Sequence, residues 1–354
     1  MEGNLSVAAE RQSQVDAVLA RLFSLARKRA EPLGATYAEL WARIEASTLG
    51  GKRFRPRMVL AAYSGLGGTD FEAAANVGAA FELLHTSLCV HDDVIDRDFT
   101  RRGEPNVAGA FRDRARAAGS DAVAADHHGV SAAVIAGDLA LFNAYRLIDR
   151  SGVTGSVRAR LLEVMDESLF ASAAGELIDI DFTLRSEVPH VDDILAMERL
   201  KTAVYSFEGP LQAGAILAGA SEETVATLGD FGREIGIAYQ LVDDLLGVFG
   251  AEEDTGKTTI GDLREGKRTV LIAYASGAKG WDELAPLFGH AALAEDEAAL
   301  LREHLVRSGA RAFAEGLARY YVNRALARLV EPHIPLALRE ELHPVADAVL
   351  GRAR

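Results

Sequence analysis

Apolar residues recur at three- and four-residue spacing along almost the whole chain. They do so over roughly 8–30, 36–48, 55–65, 71–97, 131–149, 157–181, 191–219, 223–250, 267–277, 295–329 and 336–351. That period lines one side of a helix, so each segment is expected to be an amphipathic helix with a buried face. No run of period-two alternation bounded by turn residues stands out, which argues against a sheet. Breakers fall between the segments, at Gly50-Gly51, Gly65 to Gly68, Ser151-Gly152, Pro189 and Gly277 to Gly280. Connections this short make neighbouring helices antiparallel. The segment 131–149 is apolar on nearly every side and is expected to be surrounded by others. Residues 112–130 carry the least pattern and read as a mobile loop. The pattern thus predicts an all-α fold: one domain over 1–354, an antiparallel helical bundle around a central apolar cavity.

Composition changes this picture in one respect. The chain has 354 residues, 49% apolar and 25% charged, with only 9 Pro, an ordinary balance for a helical globular protein. Its net charge is −14, so nucleic acid and anionic membrane surfaces are expected to repel it. An anionic ligand would therefore need a local basic pocket or a bound cation. The one cysteine, Cys89, cannot form an internal disulfide, which makes a reducing compartment the default. The start, MEGNLSVAAERQ, lacks the basic-then-apolar pattern of a signal peptide, and no uncharged apolar run reaches the ~18 residues of a membrane span. A cytoplasmic protein without transmembrane segments or nucleic-acid partners is the expectation.

Two acidic clusters carry the candidate chemistry. The first is HDDVIDRD, with Asp92, Asp93 and Asp96. On a helix, Asp92 and Asp96 lie one turn apart on one face with Asp93 beside them, and like charges so placed repel by a few tenths of a kcal/mol per pair. A solvated helix end would look the same. Here Leu83, Leu84, Leu88, Val90, Val94 and Ile95 surround the aspartates, so the helix is apolar apart from its acidic face. Carboxylates in that setting call for a cation, and magnesium, which prefers oxygen ligands, fits. The second cluster, YQLVDDLLGVFG, holds Asp243 and Asp244 but has Gly247 one turn after Asp243, where a third carboxylate could stand. Alone, that pair is weak evidence. Both clusters lie near the C-terminal ends of their helices, where the macrodipole favours cations. With three helical segments counted between them, the two acidic ends are expected to meet at one end of an up-and-down bundle and hold metal ions with a polyphosphate.

Basic residues answer these clusters. Arg101-Arg102 follows the first directly, and Gly50-Gly51-Lys52-Arg53-Phe54-Arg55-Pro56 is a turn-opened basic stretch. His85 lies two turns before Asp92 on roughly the same face. Lys201-Thr202 sits within 191–219, and Lys257 and Lys267 fall in TGKTTIGDLREGKRT, just past the second cluster. Each of these is ordinary alone, since a surface Lys or Arg is usually just solvated. Their combination is less ordinary in so acidic a chain.

From Gly50 to Arg268 these blocks resemble, in order, the trans-isoprenyl diphosphate synthases of the polyprenyl synthetase family, and among them geranylgeranyl diphosphate synthases. GGKRFRP, LLHTSLCVHDDVIDRDFTRRGEP, AGDLALFNA, KTA, YQLVDDLLGVFG and TGKTTIGDLREGKRT carry the resemblance. It implies a magnesium-dependent prenyl transfer that joins isopentenyl diphosphate to an allylic diphosphate. Asp92, Asp96 and less directly Asp93 would bind two magnesium ions on the allylic diphosphate, and Asp243, assisted by Asp244, the third. Lys52, Arg55, His85 and Arg102 would bind isopentenyl diphosphate. Arg101, Lys201, Thr202, Gln240, Lys257 and Lys267 would grip the allylic diphosphate. A homodimer is also implied. The departures from the family pattern are Gly247, in place of the last aspartate of the second motif, and Glu176, where the family usually has glutamine after Gly175.

In the resembled family an aromatic under the metal site shortens the product to farnesyl length. The positions before Asp92 are Leu88 and Ser87, then Leu84 and Leu83, none of them aromatic. That leans towards a geranylgeranyl or longer product. Two alternatives stand beside this reading. A class I terpene cyclase would share the all-helical fold, DDxxD and magnesium, but with one diphosphate to hold it has no need of GGKRFRP, His85 and a second arginine. A non-catalytic subunit of a heteromeric synthase would be expected to lose an acidic cluster or the basic segment, and both are present.

Overall fold

A computed structural model describes residues 2–49, 53–185, 187–250 and 259–352, with side chains from residue 10 onward. By its internal packing the chain divides into two compact units, Met1–Met165 with Ala213–Ala220, and Asp166–Gln212 with Ser221–Arg354.

The first unit contains α1 (Glu2–Ala30), α2 (Ala35–Thr48), α3 (Phe54–Gly65), α4 (Phe71–Ile95), α5 (Val107–Ala117), α6 (Ala122–Asp149) and the first part of α7 (Gly155–Leu184). Its centre is α4, packed along α6, α3 and α1. Asp70 starts α4 by accepting the Glu72 N–H (3.2 Å), and Asn106 and Asp121 cap α5 and α6 in the same way. Val77, Phe81, Leu83 and Leu84 are fully buried, so the acidic end of α4 is carried on a rigid core helix.

Two expectations are corrected in this unit. Residues 112–130 are not a loop: α5 runs to Ala117, a turn follows, and α6 begins at Ala122. The two side-chain caps and an alanine-rich stretch give enough helical drive where the apolar period is weak. With α5 present, four helical segments rather than three lie between the acidic helices among the described residues, so parity of the bundle no longer argues that their ends meet. A small sheet also exists, a hairpin pairing Thr100–Arg101 (β1) with Glu104–Pro105 (β2). Finally, α4 and α6 are each long and apolar enough to cross a membrane despite a few charges. Of the most apolar stretch, 72% is buried within the protein for α4 and 44% for α6, and for α4 this is the profile of a core helix.

The second unit contains α8 (Val191–Glu198), a π-helical segment Arg199–Glu208, the start of α9 (Gly209–Leu217), α10 (Glu222–Phe249), α11 (Gly261–Glu265), α12 (Val270–Ser276), α13 (Trp281–Leu284), α14 (Glu295–Arg307), α15 (Ala310–Leu329) and α16 (Leu336–Gly351). The long helix α10 packs along α15 on one side and the π-helical segment on another. Leu245, Val248, Leu263, Leu271, Trp281 and Leu301 form a core beside its C-terminal half. The expected helix 295–329 is broken at Gly309, whose φ of 85° ends α14 and starts α15.

Candidate functional site

In the first unit Asp92 and Asp93 stand in the last turn of α4, and Asp96 caps its end, with its N–H donating to the Asp92 carbonyl (2.8 Å). Arg101 on β1 reaches back over them. Its Nε donates to Asp93 Oδ1 (2.8 Å) and its Nη2 to Asp92 Oδ2 (3.2 Å). The hairpin turns through Arg102-Gly103, both with positive φ (55° and 79°), as a tight two-residue turn demands. Arg102 holds that backbone without the freedom of glycine, the kind of strain that collects at functional sites. Asp93 is buried, and burial pushes its carboxyl above the usual range while Arg101 pulls it back. Asp92 and Asp96 are more open to solvent.

His85, two turns earlier, lies in the positive field of Arg55, Arg101, Arg102 and Arg53. The fold thus brings together four of the sequence-predicted anion binders of this unit: Arg55, His85, Arg101 and Arg102. Arg53 is fixed otherwise, by Glu82 (3.0 Å) and Asp16 (3.2 Å), on left-handed backbone at the start of α3 (φ 52°). Lys52 lies outside the described residues.

Burial first, and then these arginines, hold the His85 pKa well below its ordinary 6.5, so the ring is neutral at pH 7. An unfolded chain takes up that proton first, so His85 lowers stability as pH falls below about 6.5, and the loss continues down to the folded-state pKa. Replacing His85 with Gln should remove this contribution. Thermal melts should then show the variant gaining on the wild type between pH 7 and 5. Parallel pH profiles would contradict this assignment.

In the second unit Lys201 and Thr202 lie in the π-helical segment, an irregularity that often marks functional sites and has no signature in the sequence. Gly175 explains how α7 meets it. A Cβ at Gly175 would fall 2.6 Å from Lys201 Cα and 2.8 Å from the Leu200 carbonyl carbon, so only glycine lets the two backbones approach this closely. Lys201 Nζ is then held by Asp179 Oδ2 (2.7 Å) and Glu176 Oε2 (3.0 Å). The departure at Glu176 thereby has a physical account, as a second counter-charge for Lys201.

From there a hydrogen-bond chain runs inward. The Thr202 hydroxyl donates to Gln240 Oε1 (3.0 Å), Gln240 Nε2 to Asp244 Oδ1 (2.9 Å), and Lys267 Nζ to the same Asp244 oxygen (3.0 Å). These residues line one pocket together with Asp179, Glu198 and Arg268. Burial pulls the Lys267 ammonium down, but Asp244, Asp262 and Asp243 outweigh it and hold the group well above its ordinary value. Asp244, 3% exposed, is raised by burial in spite of Lys267. Asp243 takes another partner: Arg352 Nη2 donates to its Oδ1 (2.9 Å) while the guanidinium lies over the Tyr239 ring at 4.3 Å. Lys257 lies outside the described residues.

Sequence reasoning missed Asp179, Glu198, Asp262 and Arg352. Asp179 and Glu198 stand three residues from Glu176 and Lys201, a helical spacing that could have flagged them. Arg352 is 109 residues from Asp243 and offered no signal.

Both carboxylate sets fit a hard divalent cation. Each already accommodates positive charge, a guanidinium from Arg101 on one and from Arg352 on the other. Among the described residues no three or more His, Cys, Asp or Glu side chains close on one point. That suits magnesium, which keeps water and substrate oxygens in its shell and takes only one or two carboxylates.

The polyprenyl synthetase family model matches residues 39–302. The chain is similar to the geranylfarnesyl diphosphate synthase of Aeropyrum pernix, 35% identical over 312 residues that cover 86% of this chain and 91% of that one. It is 34% identical over 227 residues to the geranylgeranyl diphosphate synthase of Sulfolobus acidocaldarius, covering 64% and 63%. In structure it resembles geranylgeranyl pyrophosphate synthase from Corynebacterium glutamicum complexed with isoprenyl diphosphate and magnesium. There the TM-score is 0.87 and the identity 30%, over 96% of this chain and 99% of that one.

Proposed function

This chain belongs to the polyprenyl synthetase family and is a trans-prenyltransferase, and we propose that it condenses isopentenyl diphosphate with an allylic diphosphate to give a geranylgeranyl or longer product. The observation that carries this reading is the end of α4. Asp92 and Asp93 stand there under Arg101, with Arg55, Arg102 and a neutral His85 close by, in a chain of net charge −14. Carboxylates for metal beside cations for phosphate are what a metal–diphosphate ligand requires.

In this reading Asp92, Asp93 and Asp96 bind magnesium in the first unit, and Asp243 with Asp244 in the second, three ions in all with substrate bound. Bound magnesium would neutralise the leaving diphosphate and so ease departure of the allylic group. Arg101, Lys201, Thr202, Gln240, Lys257 and Lys267 orient the allylic diphosphate. Lys52, Arg55, His85 and Arg102 hold isopentenyl diphosphate so that its double bond is near the reacting carbon. His85, kept neutral by burial and the arginines around it, can still donate one ring N–H to a phosphate oxygen. We further propose one catalytic domain, a cytoplasmic site of action and a homodimer, the last supported by Val134, Ile135 and Phe142, which α6 leaves exposed.

The test is incubation with isopentenyl diphosphate and each allylic starter, with and without magnesium, and sizing of the products. A magnesium-dependent product of twenty carbons or more supports the proposal; a cyclic hydrocarbon, or no elongation of any starter, rejects it. The same assay reads product length. Ser87 is 1% exposed, its hydroxyl has no hydrogen-bond partner, and it sits just over one turn before Asp92. Ser87→Phe is expected to shorten the main product by at least one five-carbon unit. An unchanged product distribution in the folded variant would show that this part of α4 does not line the chain-elongation channel.

A further inference from the structure

One cation of the basic stretch 50–56, Arg53, has no place among the proposed ligands. Only 10% of its side chain is exposed. Its Nη1 donates to the Thr48 carbonyl at the end of α2 (2.5 Å) and to Glu82 Oε1 on α4 (3.0 Å), while its Nε pairs with Asp16 Oδ1 on α1 (3.2 Å). One guanidinium thus joins α1, α2 and α4 to the residue that precedes α3. Glu82 is buried, and among the described residues its Oε2 has no hydrogen-bond partner, so the carboxylate depends on Arg53.

The junction is constrained in two further ways. Arg53 stands on left-handed backbone (φ 52°, ψ 40°), which a residue with a side chain keeps only where its surroundings hold it. Three residues on, Pro56 lies against α4 at Gly78, where a Cβ would fall 3.2 Å from Pro56 Cα. Gly78, Glu82 and Thr86 follow one another by turns along one face of α4. The Thr86 hydroxyl lies 3.1 Å from that of Thr48 and 3.0 Å from the Glu82 carbonyl, which ties the end of α2 to the same face. Arg55 stands in the first turn of α3 between the anchors at Arg53 and Pro56, and His85 lies three residues after Glu82. Both proposed anion binders are therefore carried on segments that the Arg53–Glu82 pair locks together.

We propose that Glu82 is a positioning residue for the isopentenyl diphosphate pocket: through Arg53 it holds the start of α3 on α4 and so sets where Arg55 meets the ligand. The inference rests on the reading of Arg55 and His85 as diphosphate binders, and it adds a residue that touches no substrate. Glu82 and Asp16 neutralise Arg53, which is thereby withdrawn from the anion-binding set and serves as an anchor. A guanidinium recognises phosphate through directed N–H donors, so a shift of about an ångström in the backbone that carries Arg55 weakens its grip. A hydrogen-bonded ion pair fixes direction as well as distance, which apolar packing at the same place does not.

The experiment is steady-state kinetics of the full-length protein with each substrate varied in turn, alongside thermal melts. Glu82→Gln is expected to raise KM for isopentenyl diphosphate by about 10-fold or more while KM for the allylic diphosphate changes little. An equal rise in both KM values would mark a general loss of packing and reject the inference. Arg53→Met combined with Glu82→Leu replaces the pair by apolar side chains of similar size, a change often neutral for stability, and leaves Asp16 half-exposed to water. This double variant should melt near the wild type yet keep the raised KM, and it decides alone if Glu82→Gln does not fold. Recovery of KM together with the melting temperature would overturn the inference, because packing would then suffice. Arg55→Ala is the control. If it raises KM for isopentenyl diphosphate while Glu82→Gln does not, the inference fails alone. If Arg55→Ala leaves that KM unchanged, the reading of the pocket fails and takes the inference with it.

Discussion

Replacing Asp92 with alanine is expected to abolish condensation, lowering kcat by on the order of 10³-fold or more, while the helical circular dichroism stays that of the wild type. The activity loss follows from the role proposed for this carboxylate. A metal that neutralises a leaving diphosphate supplies several kcal/mol, and each 1.36 kcal/mol is tenfold in rate. The fold should survive for local reasons. Asp92 is part-exposed in the last turn of α4, its negative charge opposes the helix dipole there, and it repels the neighbouring Asp93. Its contact with Arg101 is lost, but Arg101 keeps Asp93. Ion pairs as exposed as Arg101–Asp92 contribute at most about 1 kcal/mol. The melting temperature without ligand should therefore stay level or rise slightly. Wild-type turnover in Asp92→Ala would remove the metal assignment, whereas a collapsed fold would mean that the aspartate is structural.

Much of this was legible in the chain because it rests on local rules. Helices such as α2, α3, α4 and α10 follow their apolar period and their N-terminal cap or breaker, so their limits were foreseen to within about two residues. Short-range constellations were legible too. Asp92 beside Asp93, and Arg101 close enough to fold back over them, depend on a helix end and a tight hairpin. What escaped depends on tertiary context. Helix α5 is short and starts at the cap of Asn106, and α6 starts nine residues before the expected segment at the cap of Asp121. The π-helical path through Lys201 is imposed by packing against Gly175 and α10. Asp262 filling the space at Gly247, and Arg352 pairing with Asp243, join positions that no period or motif connects. Glu176 shows the same boundary. As a departure from a pattern it had no meaning until Lys201 was found between it and Asp179.

Lys267→Ala should cost stability as well as activity, and the two losses have separable causes. Asp244 is nearly fully buried and receives hydrogen bonds from Lys267 and Gln240. Removing the ammonium leaves a buried carboxylate with only a neutral donor. Breaking a fully enclosed ion pair costs about 3–5 kcal/mol. Here Lys267 keeps 30% of its side chain exposed and Gln240 still donates, so about 2–4 kcal/mol is expected. The pH dependence identifies the cause. Burial already raises the Asp244 pKa against the pull of Lys267, and without Lys267 it rises further. A carboxyl whose folded pKa is raised contributes stability below its unfolded pKa, near 3.9, and loses that contribution as pH climbs through the folded value. The variant should therefore be weakest relative to wild type at pH 7–8, and the gap should narrow as pH falls towards 4. Adding Asp244→Asn to Lys267→Ala removes the stranded charge and should restore most of the melting temperature without restoring turnover, because the proposed diphosphate ligand is still missing. A stability gap that is flat in pH, or one that Asp244→Asn does not close, would place the role of Lys267 elsewhere than in balancing Asp244.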